Sequence, residues 1–387
     1  MPSFYLEEHE GSVHVETVAE ATRLNELCHK WLQLDVIAVD TEFDRTNTYF
    51  HNLALIQVFD GENIYLIDPI ELEDISALIP ILESKTLVKA LHSCSEDLEA
   101  LFNRFHCQIN SVFDTQIAAS MAGMGLTLGY AALVERILSI SLAKEQTKTD
   151  WLKRPLSREQ KIYAAQDVQF LLPIYYRLRD QLLVKGHFLW LLEDSQSIYE
   201  AVSHLEDFDQ YYVKIKGAFK LNSFQLNRLK KVAEWRELVA RSANLPRTFI
   251  FKDAQLIEAC KQLRPSISKL LALGCNRASI RKYGTELLTQ IQLADNDSSD
   301  NWPKKLEPFH RIRNGKILYN ECKNIVSLLS EKEQLPSEVL CNKRLIEYFI
   351  KKKLNKIGRP NRFWNRWRQE LLEEPFLKVI QSSESVL

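Results

Sequence analysis

Residues 36–42, Val-Ile-Ala-Val-Asp-Thr-Glu, set the strongest constraint on what this chain can fold into. The short apolar run, dense in β-branched residues, reads as a buried strand, yet it leads straight into two carboxylates. Side chains alternate across a strand, so Asp40 and Glu42 share a face, with Cβ atoms about 6–7 Å apart at a rise of about 3.3 Å per residue. Like charges held together at a sheet end repel and lose hydration unless a cation joins them. Hard carboxylate oxygens suit Mg²⁺ or Mn²⁺. Taken alone, the pair also reads as two solvated acids beyond the end of a strand.

With 387 residues, the chain can build two or three domains, each with its own core. Its hydrophobic content of 45% and charged content of 26% are those of an ordinary globular protein. No apolar run approaches the ~20 residues that span a bilayer, and the start, MPSFYLEEHEGS, lacks the pattern of a signal peptide. The seven cysteines form no CxxC pair. An odd, unpaired set argues for a reducing cytoplasm and against a disulfide framework or structural zinc. Net charge is −1 overall, but it is unevenly divided. Residues 1–200 carry 16 Lys and Arg against 30 Asp and Glu, net −14; residues 201–387 carry 34 against 21, net +13. A basic half attracts polyanions such as nucleic acid. An acidic half repels them unless its acids are sequestered by metal.

Strand-like runs at 35–41, 53–59 and 64–69 precede a helical period at 72–83 and a strand at 87–91. Asp60-Gly61 marks a hairpin between the second and third runs. Ser93 or Ser95 is placed to cap a helix reaching about Phe105, followed by a short strand at 111–113. Helices are expected at about 115–123 and 127–139, then one long helix from Ser157 to about Val184. Strands first, then alternating strand and helix, imply an α/β layer fold with a mixed sheet. From about residue 219 helices dominate, and NLPRTFIFKDAQLIEACK (244–261) is echoed by QLPSEVLCNKRLIEYFIK (334–351). Two small helical modules, 219–294 and 302–382, follow a first domain of residues 1–218, with ADNDSSDNWPKK as the linker between them.

Two further signals join the opening pair. Asp97, in HSCSEDLEAL, falls in the first turn of a helix, where an acid also complements the helix dipole. Tyr163 and Asp167 stand four residues apart and share a helical face. Asp40-x-Glu42, Asp97 and Tyr163-xxx-Asp167 match in order and spacing the tyrosine form of the DEDD exonuclease pattern. With DTQIAA, TDWLKRPLSREQ and YAAQDVQFLLPIYYRL, the chain resembles the ribonuclease D family over nearly its whole length. The two helical modules look like that family's paired helicase-and-RNase-D C-terminal (HRDC) domains, the second more loosely.

The resemblance implies a ribonuclease-H-like sheet domain followed by two HRDC-like domains. It implies a 3′→5′ exoribonuclease that uses two divalent ions, Mg²⁺ or Mn²⁺, and releases nucleoside 5′-monophosphates, with trimming of tRNA precursor 3′ ends as its task. Asp40 would bridge the two ions, Glu42 and Asp167 would hold the one that activates water, and Asp97 would serve the other through a water. Tyr163 would aim the nucleophilic water. A monomer acting on RNA in the cytoplasm, away from membranes, is the expected setting. A DNA-directed exonuclease with the same site and a non-catalytic nucleic-acid adaptor are the alternatives, the second disfavoured because all four carboxylates are present.

Other residues divide between structural and functional readings. Asp114 before Thr115 reads as a helix cap rather than a fifth ligand. His92 reads as a strand-end histidine with satisfied polar atoms, or as a group that approaches substrate. Gln57 and Arg154 are open between structure and RNA contact, and Trp151 reads as packing. In KRLIEYFIKKKLNKIGRPNRFWNRWRQEL the tryptophans read as the core of a helical module and the cations as an RNA-facing surface.

Overall fold

The computed structural model describes residues 3–8, 11–142, 149–203, 208–357 and 361–384, so Gly358, Arg359 and Pro360 of the basic C-terminal stretch lie outside the described residues. Strands β1 (Ser3–Glu8), β2 (Gly11–Val18), β3 (Val36–Asp44), β4 (Asn52–Phe59), β5 (Asn63–Ile67), β6 (Val88–Leu91) and β7 (Val112–Asp114) form one mixed sheet, in the order β1-β2-β5-β4-β3-β6-β7. β3 runs antiparallel to β4 and parallel to β6. The β4–β5 hairpin turns at Gly61, whose φ of 96° suits glycine.

Strand alternation gives the sheet two apolar faces. Val36, Ala38, Leu55, Phe59 and Leu66 face one core, and Ile37, Val39, Ile56, Val58 and Ile67 face the other. Helices α1 (Ala21–Trp31), α2 (Ile79–Glu83) and α3 (Ser95–Phe105) cover the second face. The first is covered by α4 (Thr115–Met121), α5 (Tyr130–Leu138), α6 (Arg158–Gln169), α7 (Leu171–Val184) and α8 (Phe188–Ser203).

Three sequence expectations are corrected. The helix expected over 72–83 is a 3₁₀ turn at Ser76–Leu78 leading into α2, with Pro80 in the first helical turn, the place where its missing N–H costs nothing. Neither Ser93 nor Ser95 caps α3: Cys94 is the cap residue and makes no side-chain bond. The single helix from Ser157 to Val184 is two. Pro173 has no N–H for the carbonyl of Gln169, and its ring would collide with it, so the chain breaks at Phe170 (φ −101°, ψ 1°). Tyr130 fills the break: its hydroxyl accepts from the Phe170 N–H at 3.2 Å and donates to the Gln166 carbonyl at 2.9 Å.

After α9 (Tyr211–Lys214), the rest of the described chain is helical. α10 (Ser223–Ser242), α11 (Arg247–Ile250), α12 (Asp253–Lys261), α13 (Ile267–Ala272) and α14 (Arg277–Asp295) precede α15 (Gly315–Lys332), α16 (Ser337–Leu340), α17 (Lys343–Lys353) and α18 (Arg366–Glu384). The internal repeat is structural. Each long helix (α10, α15) leads to a left-handed residue, Asn244 (φ 49°) or Gln334 (φ 51°), then Leu-Pro, a one-turn helix and a longer one.

Both helical regions grip the sheet domain. Asn244 Oδ1 accepts the backbone N–H groups of Tyr49 (3.1 Å) and Phe50 (3.0 Å), just beyond β3. The Tyr49 hydroxyl donates to Glu237, while Arg247 donates to both at 2.9 and 2.8 Å. On α18, Trp367 stacks on Trp190 of α8 at 4.7 Å, and Arg368 donates twice to buried Asp194, at 2.5 and 2.8 Å. Trp367 Nε1 and Asn365 Nδ2 donate to the same carboxylate at 3.0 and 2.7 Å. Removing one partner of a buried ion pair strands the other charge at a cost of about 3–5 kcal/mol. Arg368→Met is therefore expected to lower unfolding free energy in urea by about that amount. A loss under about 1 kcal/mol, the range of exposed pairs, would show that the pair is not a structural latch.

Candidate metal centre

β3 delivers Asp40 and Glu42 to one face of the sheet, as the strand parity requires. A register shift follows directly: Glu42 pairs with Leu55 but Phe43 pairs with Leu53, leaving Ala54 as the extra residue of a bulge. Bulges locally bend and twist a strand and often adjoin functional sites. Arg154 braces this one, donating to the Ala54 carbonyl at 2.7 Å and to the Asp68 carboxylate at 2.5 and 2.8 Å.

Above that face lies α6. Ala164, Ala165 and Val168 pack into the sheet core, and two alanines in succession let the helix approach closely. Tyr163 and Asp167 are half-buried on the same helix, one turn apart. Carboxylate oxygens of Asp40, Glu42 and Asp167 lie within 4.8 Å of one another. Strand and helix, more than a hundred residues apart in sequence, thus close one cluster of acids.

Asp97 stands beside this trio rather than in it. It is buried in the first turn of α3, and Thr41, the residue between the two strand acids, donates its hydroxyl to Asp97 Oδ1 at 2.5 Å. Parity explains the contact, since Thr41 must face away from Asp40 and Glu42. Asp97 still acts on both of them through its charge.

The electrostatics are those of like charges crowded into a buried site. Burial pushes the Glu42 carboxyl up to about 9, with Asp167 and Asp97 adding to it. Burial and then Asp97, Asp167 and Glu42 raise Asp40 well above the carboxylate range. Burial carries Asp97 to about 6, against the lowering effect of the Thr41 hydroxyl. Burial is also first in raising the Tyr163 phenol, followed by Asp167, Glu42 and Asp40. A divalent cation would relieve this repulsion, and an all-oxygen donor set is what Mg²⁺ and Mn²⁺ prefer. The residues present therefore fit a divalent metal.

The remaining candidates divide. Asp114 caps α4, accepting from Gln116 and Ile117, and also takes the N–H groups of Ser93 and Cys94. Four backbone donors occupy it as a structural acceptor. His92 Nε2 donates to the Leu128 carbonyl at 3.1 Å and Nδ1 sits 2.9 Å from the Thr115 hydroxyl, which satisfies the ring. Trp151 is buried with its ring 6.0 Å from that of Tyr163, so it packs against the candidate catalytic side chain. Trp364 and Trp367 are core residues. Gln57 is fully buried on β4, opposite Asp40. Thr41 and Tyr130 are supporting residues that sequence reasoning missed. For Thr41 the signal was strand parity; for Tyr130, whose partner is a helix break forty residues away, there was none.

Residues 15–183 match the 3′-5′ exonuclease family, and residues 225–291 match the HRDC domain family. A ribonuclease D from Shewanella sp. (strain ANA-3) is 36% identical over 94% of this chain and 93% of its own length. The ribonuclease D of Haemophilus influenzae is 35% identical over 89% of this chain and 87% of its own. The crystal structure of Escherichia coli RNase D superposes with a TM-score of 0.89 at 30% identity, covering 95% of this chain and 99% of that one.

Proposed function

The chain belongs to the ribonuclease D family, and from that membership and its acidic cluster we propose how it works as a 3′→5′ exoribonuclease. The observation that carries the reading is the convergence of Asp40, Glu42 and Asp167 within 4.8 Å, with Tyr163 on the same helix as the last of them. The E. coli relative is an exoribonuclease involved in structured RNA processing. For this chain we take the substrate to be structured RNA with a free 3′ end, tRNA precursors included, handled by a monomer in the cytoplasm. No helix among the described residues is long and apolar enough to cross a membrane.

In this reading Asp40, Glu42 and Asp167 would hold two divalent cations, Mg²⁺ or Mn²⁺, and Asp97 would serve one of them. When bound, such ions lower the pKa of water and offset charge that builds on the phosphate being cleaved. The residues of the chain do the rest. Tyr163, a phenol whose ordinary pKa is about 10, keeps its proton at neutral pH and can hydrogen-bond the attacking water so that it lies in line with the leaving 3′ oxygen. Thr41 fixes Asp97 through its hydroxyl. Arg154 and the bulge it braces hold the end of β3 in place.

We partition the chain into a nuclease domain (1–218) and two helical domains (219–294 and 302–382), the basic pair capturing RNA that the acidic domain cuts. A cavity of about 670 Å³ between the segment 213–219 and the second helical region is lined by Lys216, Arg344 and Lys351, by Glu307 and Glu347, and by the rings of Phe219, Tyr348 and Phe363, and we read its cations and rings as a seat for a single strand. The test is cleavage of end-labelled RNA and matched DNA with Mg²⁺, Mn²⁺ or EDTA, resolved nucleotide by nucleotide. The expected result is a metal-dependent ladder of RNA shortened from its 3′ end, abolished by EDTA. Equal cleavage of DNA would favour a nuclease indifferent to the 2′-hydroxyl, and cleavage persisting in EDTA would overturn the metal assignment.

A further inference from the structure

Gln57 lies in the middle of β4, is fully buried, and has no hydrogen-bond partner on either Nε2 or Oε1. A buried primary amide with both ends unpaired has given up water and gained nothing in exchange. Register shows what stands beside it. Gln57 pairs directly with Asp40 on β3 and with Leu66 on β5. Residues opposite each other in an antiparallel pair project to the same face, with Cβ atoms about 4.5–5.5 Å apart. One of its two cross-strand neighbours is therefore apolar and the other is a carboxylate of the acidic cluster. Overhead, α6 presents Ala164, Ala165 and Val168 to this face, and none of these side chains can answer an amide.

We propose that Gln57 is a positioning residue for Asp40: its amide N–H donates to the Asp40 carboxylate when that group engages a cation, holding it in the orientation that binding requires. The inference rests on the metal reading of the site and extends it to a residue outside the acidic cluster. The geometry accounts for an amide rather than a charged group. A cation here would compete with the metal, and a second acid would add to the repulsion already present. A neutral donor at the end of a flexible stem steadies the carboxylate without either effect. Groups of this kind, which orient metal ligands by hydrogen bonds, typically change metal affinity by about 10–100-fold when removed.

The experiment is calorimetric titration of the full-length protein with Mn²⁺ for wild type, Gln57→Leu and Gln57→Met, with thermal unfolding of each in EDTA. Expected is a fall in Mn²⁺ affinity of about 10–100-fold, with a melting temperature in EDTA no lower than wild type because an unpaired amide has been removed. Unchanged Mn²⁺ affinity in a folded variant overturns the proposal. So does a melting temperature lowered equally with and without Mn²⁺, the mark of an amide that only supports the fold through a trapped water. Methionine matches the unbranched shape of glutamine and carries the test if the leucine variant does not fold; failure of both to fold also overturns the proposal. Wild-type protein that does not bind Mn²⁺ brings down the metal reading itself, and Gln57 with it. Binding in wild type that survives in the variants brings down the role of Gln57 alone.

Discussion

Asp40→Asn protein is expected to lose cleavage of RNA by a factor on the order of 10⁴, the size of effect seen when one member of a concerted catalytic group is removed. Its metal-free fold should nonetheless become more stable at neutral pH. Both follow from one geometry. Asp40 shares a strand face with Glu42 and meets Asp167 within 4.8 Å, so the amide variant keeps the shape and removes a charge from the centre of the cluster. Calorimetric Mn²⁺ binding should weaken sharply. Stability without metal moves the other way. Glu42 is raised to about 9 and Asp97 to about 6, so the folded metal-free protein binds more protons than the unfolded chain between those values and about 4. The stabilisation is fully present below the unfolded pKa of about 4 and is lost as pH rises through about 6 and then about 9. Wild type in EDTA should therefore melt at a lower temperature at alkaline pH than at mildly acidic pH. Asp40→Asn should show a shallower decline, since one source of repulsion is gone. Calorimetric scans in EDTA across that range, beside single-turnover cleavage with Mn²⁺, measure both. Near-normal cleavage by the variant would remove Asp40 from the centre of the site.

Much of this site was legible from the sequence because its signals are local. Two acids at strand parity need only the alternation of β3, and Tyr163 with Asp167 needs only one helical turn. The mixed sheet was legible for the same reason, as β-branched runs bounded by turn residues. The N-terminal hairpin went unread, although GSVHVETV alternates and buries Val13 and Val15. What stayed hidden depends on distant partners. The break at Phe170 is set by Pro173 locally but stabilised by Tyr130. Asp194 looks like any helix acid until Arg368, Trp367 and Asn365 close on it from the far end of the chain. Asp97 shows the limit within the site itself. Its place in the acidic pattern was readable, but that Thr41 engages its carboxylate, leaving it beside the trio, is a tertiary fact.

Tyr163→Phe should separate the tyrosine from the carboxylates, with kcat falling about 10²–10⁴-fold, the usual loss for one positioning or acid–base hydrogen bond. KM and Mn²⁺ affinity should stay close to wild type, because the variant removes one hydroxyl and leaves Asp40, Glu42 and Asp167 in place. A fall in kcat and kcat/KM together identifies a contact made only in the transition state. The structure sharpens the test in two ways. The Tyr163 ring packs against Trp151 at 6.0 Å, and phenylalanine keeps that contact, so loss of rate cannot be assigned to a collapsed pocket. The phenol is also raised above its ordinary value by burial and by Asp167, Glu42 and Asp40. A tyrosine acting as the base would make the rate climb with pH towards about 10 and beyond, and that climb would vanish in the variant. A tyrosine that stays protonated and aims water predicts instead that the pH profiles of wild type and variant run parallel, displaced by a constant factor. A side chain that merely packs predicts no displacement at all. Measuring kcat, KM and Mn²⁺ affinity of this single variant across pH tells these three apart, and an unaltered kcat would leave the acidic cluster without its water guide.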